Sequence, residues 1–424
     1  MQRALASLAG EPFDLLVLGG GITGAGIALD AVLRGFRVAL IDKGDFACGT
    51  SSVSSKLIHG GLRYLEHGDF RLVAEAMTER RHLLRNAPHL VRPLRFVIPF
   101  YRRARLAPWQ WRIGLTLYDL LAGRGNLERS RPLDGAGVGA RCPTLCLQGL
   151  RGGAVYCDAQ MDDARLCIEV LRTAARHGAC VANYVEAVGF LKHDGHIIGV
   201  RAVDRIAGGE LVIRAFQVVN ATGPWLDAVC QLAGDARGPY LRPTKGVHVI
   251  VPNRARLKVA LLLLHPDDGR VFFVIPWPRY PDAFGILGSD HLLVGTTDSF
   301  AEVSPDRLTV TEQDVAYLLA GHNAFLGPPL SPEHVQGSFA GLRPLVRAAA
   351  GSPSALSREF RLIEAPDGLI SVAGGKYTTY RHMAEVVTDV VARRLGRLRT
   401  CRTSTCPLDG APAEPWDAFF RHAV

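Results

Sequence analysis

The sequence contains no apolar run approaching the ~20 residues that cross a bilayer, which excludes a simple membrane-spanning helix. Met1 to Gly10 lacks the apolar core of a secretory leader, so the expected location is the cytosol or the cytoplasmic face of the membrane. Nine cysteines are present, yet none forms a C-x-x-C pair. Cys142 with Cys146, and Cys401 with Cys406, stand apart from the histidines and further thiols that a zinc site requires. Reduced thiols and no metal are therefore expected. Internal repeats and low-complexity tracts are also missing. No nucleic-acid module accompanies the net charge of +9, leaving anionic lipid or an anionic small molecule as its partner.

What the chain does have is ordinary globular composition, 48% hydrophobic and 21% charged, over 424 residues. That length suits two domains or a discontinuous pair. The most informative stretch is Leu15-Leu16-Val17-Leu18-Gly19-Gly20-Gly21-Ile22-Thr23-Gly24. Asp14 to Leu18 reads as a buried strand, Ala25 to Arg34 as a helix and Arg37 to Ile41 as the next parallel strand, ending at Asp42. In that context Gly19 permits the turn, Gly21 lets backbone approach a pyrophosphate, and Gly24 lets helix and strand pack closely. The helix N-terminus offers amides and partial positive charge to phosphates. Asp42, about 20 residues on, suits the hydroxyls of an adenosine ribose. The chain binds a dinucleotide.

Further along, Asp69 is positioned to cap a helix that ends near Asn86, before Pro88. Asp162 and Asp163 open another, stopped by Gly178. Strands are expected over Cys180 to Tyr184, Val185 to Leu191 and Ile197 to Val203, with Asp194-Gly195 as a hairpin turn, and then over Leu211 to Val219. Val247 to Val251, Val259 to Leu264, Val271 to Ile275 and Leu292 to Gly295 read as a mostly antiparallel sheet, the floor of a substrate pocket. Leu369 to Val372, Gly374-Gly375 and Tyr377 to Leu395 form a last strand, turn and helix. The arginines of Tyr101-Arg102-Arg103-Ala104-Arg105 precede Trp109, Trp111 and Arg112 and the apolar stretch Ile113 to Leu121. This combination fits a membrane interface or, equally, a helix packed on its own core.

Two segments favour a flavin over a nicotinamide. The loop Cys48 to Gly61 leaves Asp42 rich in hydroxyls and glycine, able to follow an extended cofactor. Gly374-Gly375-Lys376-Tyr377-Thr378-Thr379 starts a helix whose amides can face the flavin edge where negative charge accumulates.

The run Ser54-Ser55-Lys56-Leu57-Ile58-His59-Gly60-Gly61-Leu62-Arg63-Tyr64-Leu65-Glu66 resembles the signature of the FAD-dependent glycerol-3-phosphate dehydrogenase family. So do Asn220-Ala221-Thr222-Gly223-Pro224-Trp225, Lys245-Gly246-Val247-His248, Val274-Ile275-Pro276-Trp277, Gly295-Thr296-Thr297-Asp298, Gly341-Leu342-Arg343-Pro344-Leu345 and Gly374 to Arg381. They stand in the family's order across roughly residues 12–395. Asp42 stands where glutamate is common, Tyr377 where leucine is common, and the family usually continues into a further helical domain.

The resemblance implies an α/β fold. A Rossmann-like FAD domain of the glutathione-reductase and D-amino-acid-oxidase type (1–80, 150–245, 336–396) would carry an antiparallel substrate domain (81–149, 246–335). Residues 397–424 would be the remnant or start of the helical domain. FAD is expected against Gly19, Gly21, Ile22, Thr23, Gly24, Asp42, Lys43, Thr50, Ser51, Ser52, Lys56, Leu57, Ile58, His59 and Gly60. Ala221, Thr222, Gly223, Trp225, Gly341, Arg343, Gly375, Lys376 and Thr378 complete that set. The implied reaction takes sn-glycerol 3-phosphate to dihydroxyacetone phosphate, with electrons passed to a membrane quinone at an anionic membrane surface. The phosphate falls to Arg63, Arg343 and Arg358, with Tyr64 positioning substrate and Lys376 at the flavin edge. Arg343 sits among apolar residues, where an unpaired cation is costly and a bound anion is favoured; Arg358 can instead pair with Glu359. His248, in an apolar strand, is the expected base and His59 its competitor. A homodimer is compatible with this reading. The alternatives are an amino-acid oxidase of the same fold and a non-catalytic FAD-binding protein.

Overall fold

The computed structural model describes residue 3, residues 5–102, 107–277, 289–301, 303–347 and 359–414, and residue 418. Among these, strands gather into two sheets. In the first, Phe13–Leu18 lies between Val38–Ile41 and Glu210–Asn220, all parallel. Cys180–Ala182 extends the sheet on one side and Ile370–Gly374 on the other, both in parallel register. These strands are nearly continuous Val, Leu, Ile and Ala, as a sheet covered on both faces demands. On one face the helices Ile22–Leu33, Asp163–Arg176 and Tyr380–Arg394 share a core with Leu15, Val17, Val38 and Leu40. The opposite face packs Leu16, Leu18, Ala39 and Ile41 against Val200 and Ile213 of the antiparallel hairpin layer.

The second sheet is mostly antiparallel. Its order runs Thr244–Pro252, His291–Gly295, Val271–Trp277, Ala260–Leu264, Val91–Tyr101 and Leu150–Met161, with Gly337–Arg343 also paired to Thr244–Pro252. The expected antiparallel sheet is therefore present. The sequence pattern missed Val91–Tyr101, whose Pro93 and Pro99 argue against a central strand, although it pairs with Leu150–Met161 along its length and with Ala260–Leu264 at Phe96 and Val97.

Other departures are local. The helix after the glycine turn starts at Ile22, not Ala25, because Gly24 is absorbed into its first turn. The strand expected to reach Tyr184 ends at Ala182, since Tyr184 takes a left-handed φ of 53°. Tyr377–Thr379 is a 3-10 turn before the α-helix begins at Tyr380. Asp162 caps its helix by accepting from the Arg165 amide at 3.0 Å. Asp194 and Gly195 form the predicted hairpin turn with φ of 48° and 79°.

Candidate flavin and substrate cleft

A cleft opens at the carboxyl ends of the parallel strands, where α/β sheets bind ligands, and runs to the strands bearing His248 and Arg343. At its first end, Gly19 adopts a φ of +107°, and a Cβ there would stand 2.6 Å from the Ala221 carbonyl oxygen. A Cβ on Gly24 would lie 1.9 Å from the Gly19 carbonyl oxygen. Both positions therefore require glycine, one for backbone geometry and one for backbone clearance. Ser51 Oγ accepts from the Ile22 amide at 2.9 Å, tying the hydroxyl-rich loop to the helix N-terminus.

Asp42 accepts from the Gly20 and Gly44 amides at 2.6 and 2.8 Å, one bond on each carboxylate oxygen. Burial pushes its carboxyl above the ordinary value, against those two bonds. A carboxylate oxygen has a further lone pair, so ribose hydroxyls can still be accepted. Beside it the Lys43 ammonium turns to Asp306 at 3.0 Å and sits 4.5 Å from the Trp225 ring centroid. Trp225 Nε1 donates to the same carboxylate at 3.1 Å. Asp306 belongs to a turn at Pro305–Arg307, so this clasp joins the fingerprint unit to a distant segment across the cleft's edge. Exposed pairs of this kind contribute about 0.2–1 kcal/mol. Asp306→Ala is accordingly expected to speed FAD loss severalfold without changing the fold, as followed by flavin fluorescence after dilution.

The cleft wall includes Gly19, Gly21, Ile22, Thr23, Asp42, Lys43, Thr50, Ser51, Leu57, His59, Tyr64, Ala221, Thr222, Gly223, Trp225, His248, Gly341, Arg343, Gly375, Lys376 and Thr378. Gly24 supports this wall from behind. The other expected contacts are turned elsewhere. Lys56 gives its ammonium to Asp163 at 2.5 Å and to the Ser52 carbonyl at 2.9 Å. Ser52 Oγ folds back on the Gly49 carbonyl at 3.4 Å. Ile58 is wholly buried in the helix-covered core, and the Gly60 amide points away toward Tyr118. These four brace the loop; the sequence could not separate bracing from contact in a loop with no simple period.

Strand pairing decides the far end. Thr244–Pro252 sets His248 opposite Phe339 and Thr244 opposite Arg343, so both side chains come from adjacent strands. The apolar neighbours of Arg343 favour a bound anion if the cation is unpaired. The structure corrects that premise: its guanidinium meets Asp298 at 3.1 Å and Thr296 Oγ1 at 2.9 Å. Asp298 and Thr296 belong to Gly295-Thr296-Thr297-Asp298, whose spacing alone gives no sign of this partnership. Lys376 places its ammonium 3.6 Å from the Tyr64 ring centroid. The Arg63 side chain and all of Arg358 lie outside the described residues.

His248 Nε2 lies 2.9 Å from Ser55 Oγ, and the ring stacks on Phe339 with centroids 5.0 Å apart. Among the described residues its Nδ1 finds no hydrogen-bond partner. Burial first, then the nearby Arg343 and Lys56 cations, lower its pKa from 6.5 to about 3. A folded-state pKa below the unfolded value means that the unfolded chain binds the extra proton. This contribution to stability is complete above pH 6.5 and is lost as pH falls toward 3. His248→Gln should flatten the pH dependence of Tm across that window.

Comparison with known proteins matches residues 14–389 to the family described as FAD dependent oxidoreductase. The aerobic glycerol-3-phosphate dehydrogenase of Staphylococcus aureus is 37% identical over 429 aligned residues, covering 99% of this chain and 75% of that protein. The chain belongs to the FAD-dependent glycerol-3-phosphate dehydrogenase family. Its cofactor is FAD, and the glycines, Asp42 and the helix-terminal amides described above are of the kind an adenine dinucleotide needs. The glycerol-3-phosphate dehydrogenase from Bacillus halodurans, solved with FAD, superposes with a TM-score of 0.80 at 33% identity, over 99% of this chain and 72% of that one. The L-α-glycerophosphate oxidase of Mycoplasma pneumoniae, also with FAD bound, gives 0.68 at 18% identity over 93% and 97%, a likeness of fold.

Proposed function

We propose that this enzyme oxidises sn-glycerol 3-phosphate to dihydroxyacetone phosphate and passes the electrons to a membrane quinone. The parallel-sheet unit is assigned to FAD and the antiparallel unit to the substrate. One observation carries the reading: Arg343, Lys376 and His248 share a single cleft with the fingerprint. Bound FAD supplies the hydride acceptor. Everything else is the work of side chains.

Arg343 is held rigid by Asp298, Thr296 and the Lys245 and Thr297 carbonyls, so its positive charge is fixed in place for the phosphate before substrate arrives. Arg63 and Arg358 are assigned to the same phosphate by their place in the family motifs, and Tyr64 to the substrate's orientation. Lys376 supplies positive charge beside Tyr64, where negative charge develops. His248 takes the hydroxyl proton. Its low affinity for a proton comes partly from Arg343 and Lys56. A dianionic phosphate offsets those cations, so the base strengthens when substrate binds. Ser55, hydrogen-bonded to the imidazole, holds its ring orientation.

The quinone assignment rests on the helix Pro108–Ala122. Its inner face buries Trp111, Leu115 and Tyr118, while Trp109, Ile113 and Leu120 are 64%, 60% and 71% exposed. The inner face packs on the protein's own core, and the exposed face on the opposite side supports the membrane reading. An apolar stripe with a tryptophan and the exposed Arg112 suits an anionic membrane surface. No helix among the described residues is long and apolar enough to cross a membrane.

Anaerobic titration with glycerol 3-phosphate is expected to bleach the visible flavin band; binding without bleaching would defeat the dehydrogenase reading. Stopped-flow reoxidation should then be faster with a quinone analogue than with air, and rapid turnover with oxygen alone would overturn the acceptor.

A further inference from the structure

Behind the flavin loop, three polar side chains from different elements are almost completely buried: Arg80, Asp158 and Tyr118, at 0%, 1% and 2% exposure. Burying an ion pair is costly, and replacing such a pair by apolar residues is often neutral or stabilising. Its presence here calls for another role. The Tyr118 hydroxyl donates to Asp158 Oδ2 at 2.7 Å and accepts from the Gly60 amide at 3.0 Å. Asp158 Oδ1 is ion-paired with Arg80, and the Gly60 amide reaches that oxygen as well, at 3.4 Å. Arg80 also donates to the Cys157 and Gly125 carbonyls at 3.0 and 3.1 Å, so the carboxylate is held from behind. Burial pushes the Tyr118 phenol well above its ordinary range, keeping it a neutral hydroxyl.

At Gly60 the backbone passes close against two side chains. A Cβ there would stand 2.6 Å from Met77 Cε and 2.8 Å from the Tyr118 hydroxyl. The preceding amide, of His59, donates to Thr378 Oγ1 at 3.4 Å, on the turn following Gly374-Gly375. The segment is thus held from both sides, and Leu57, His59 and Tyr64 around it line the cleft.

We infer that Tyr118, Asp158 and Arg80 are positioning residues that fix the backbone at His59-Gly60, and with it the cleft wall at the reactive end of FAD. This rests on the assignment of that end of the cleft given above. None of the three lines the cleft, so they act through the loop.

The test compares the FAD-loaded wild type with Tyr118→Phe and Asp158→Asn, using Leu115→Ala as a packing control from the same helix. In Tyr118→Phe the ring keeps its edge contact with Tyr156 while both hydrogen bonds are lost. Hydrogen exchange of the 57–65 peptide should accelerate about ten-fold, the visible circular dichroism of bound FAD should change, and flavin reduction should slow about ten-fold with little change in KM. Asp158→Asn should act in the same direction. Leu115→Ala should lower Tm and leave the exchange of 57–65 and the flavin dichroism as in wild type. A Tyr118→Phe protein with wild-type exchange, dichroism and reduction rate would overturn the inference. So would matching exchange and dichroism changes in Leu115→Ala. If Asp158→Asn fails to fold, Tyr118→Phe decides. Exchange and dichroism do not depend on the substrate, so a wild type unbleached by glycerol 3-phosphate would sink the proposed reaction and leave this test standing.

Discussion

Arg343→Met is expected to keep its FAD and to lose about 10- to 10²-fold in kcat/KM for glycerol 3-phosphate, since one charge-assisted hydrogen bond contributes roughly 1.5–3 kcal/mol. The side chain has a second duty that complicates the measurement. Its guanidinium pairs with Asp298, whose side chain is only 9% exposed. Removing the cation takes a charged partner from that carboxylate in a poorly hydrated place, so Tm should fall as well. The double variant Arg343→Met/Asp298→Asn separates the effects. It should recover stability while activity stays lost. Recovery of activity in the double variant would mean that the arginine serves the fold and not the phosphate.

Gly24→Ala is expected to abolish FAD binding altogether. The added methyl would lie 1.9 Å from the Gly19 carbonyl oxygen, and both sides of that clash are backbone. Neither rotamer change nor side-chain adjustment can relieve it. The helix Ile22–Leu33 must move off the strand Phe13–Leu18, which displaces the amides meant for the pyrophosphate. The ratio of flavin to protein absorbance after purification measures the outcome, and a stoichiometrically loaded Gly24→Ala protein would refute the close-approach argument.

The two variants sit at opposite ends of the cleft and were unequally legible in the sequence. Gly24 could be read from its neighbours because its constraint is local: a strand, a turn and a helix within a dozen residues dictate where the backbone must pass. Asp42 and the Gly374-Gly375 turn were legible for the same reason. The family motifs added Arg343, His248 and Lys376 as candidates, but not their partners. Nothing in the sequence ties Asp298 to Arg343 or singles out Ser55 within the flavin loop. Asp306 carried no signal at all. Asp158 carried a faint one, a lone acid within the apolar strand Leu150–Met161. Lys56 reads as a ligand contact because it is a cation in a cofactor loop, and only the fold reveals Asp163 beneath it.

By itself the sequence determined that a dinucleotide binds at the carboxyl edge of a parallel sheet, because turn conformation, helix start and backbone clearance are settled among adjacent residues. Only the tertiary structure decided which groups face one another at the reactive end. His248 meets Ser55 across 193 positions and Arg343 meets Asp298 across 45. Such pairings depend on strand register, where a shift of one residue turns each side chain to the other face of the sheet. No local pattern specifies that register. It follows from burying both sheets' apolar faces at once.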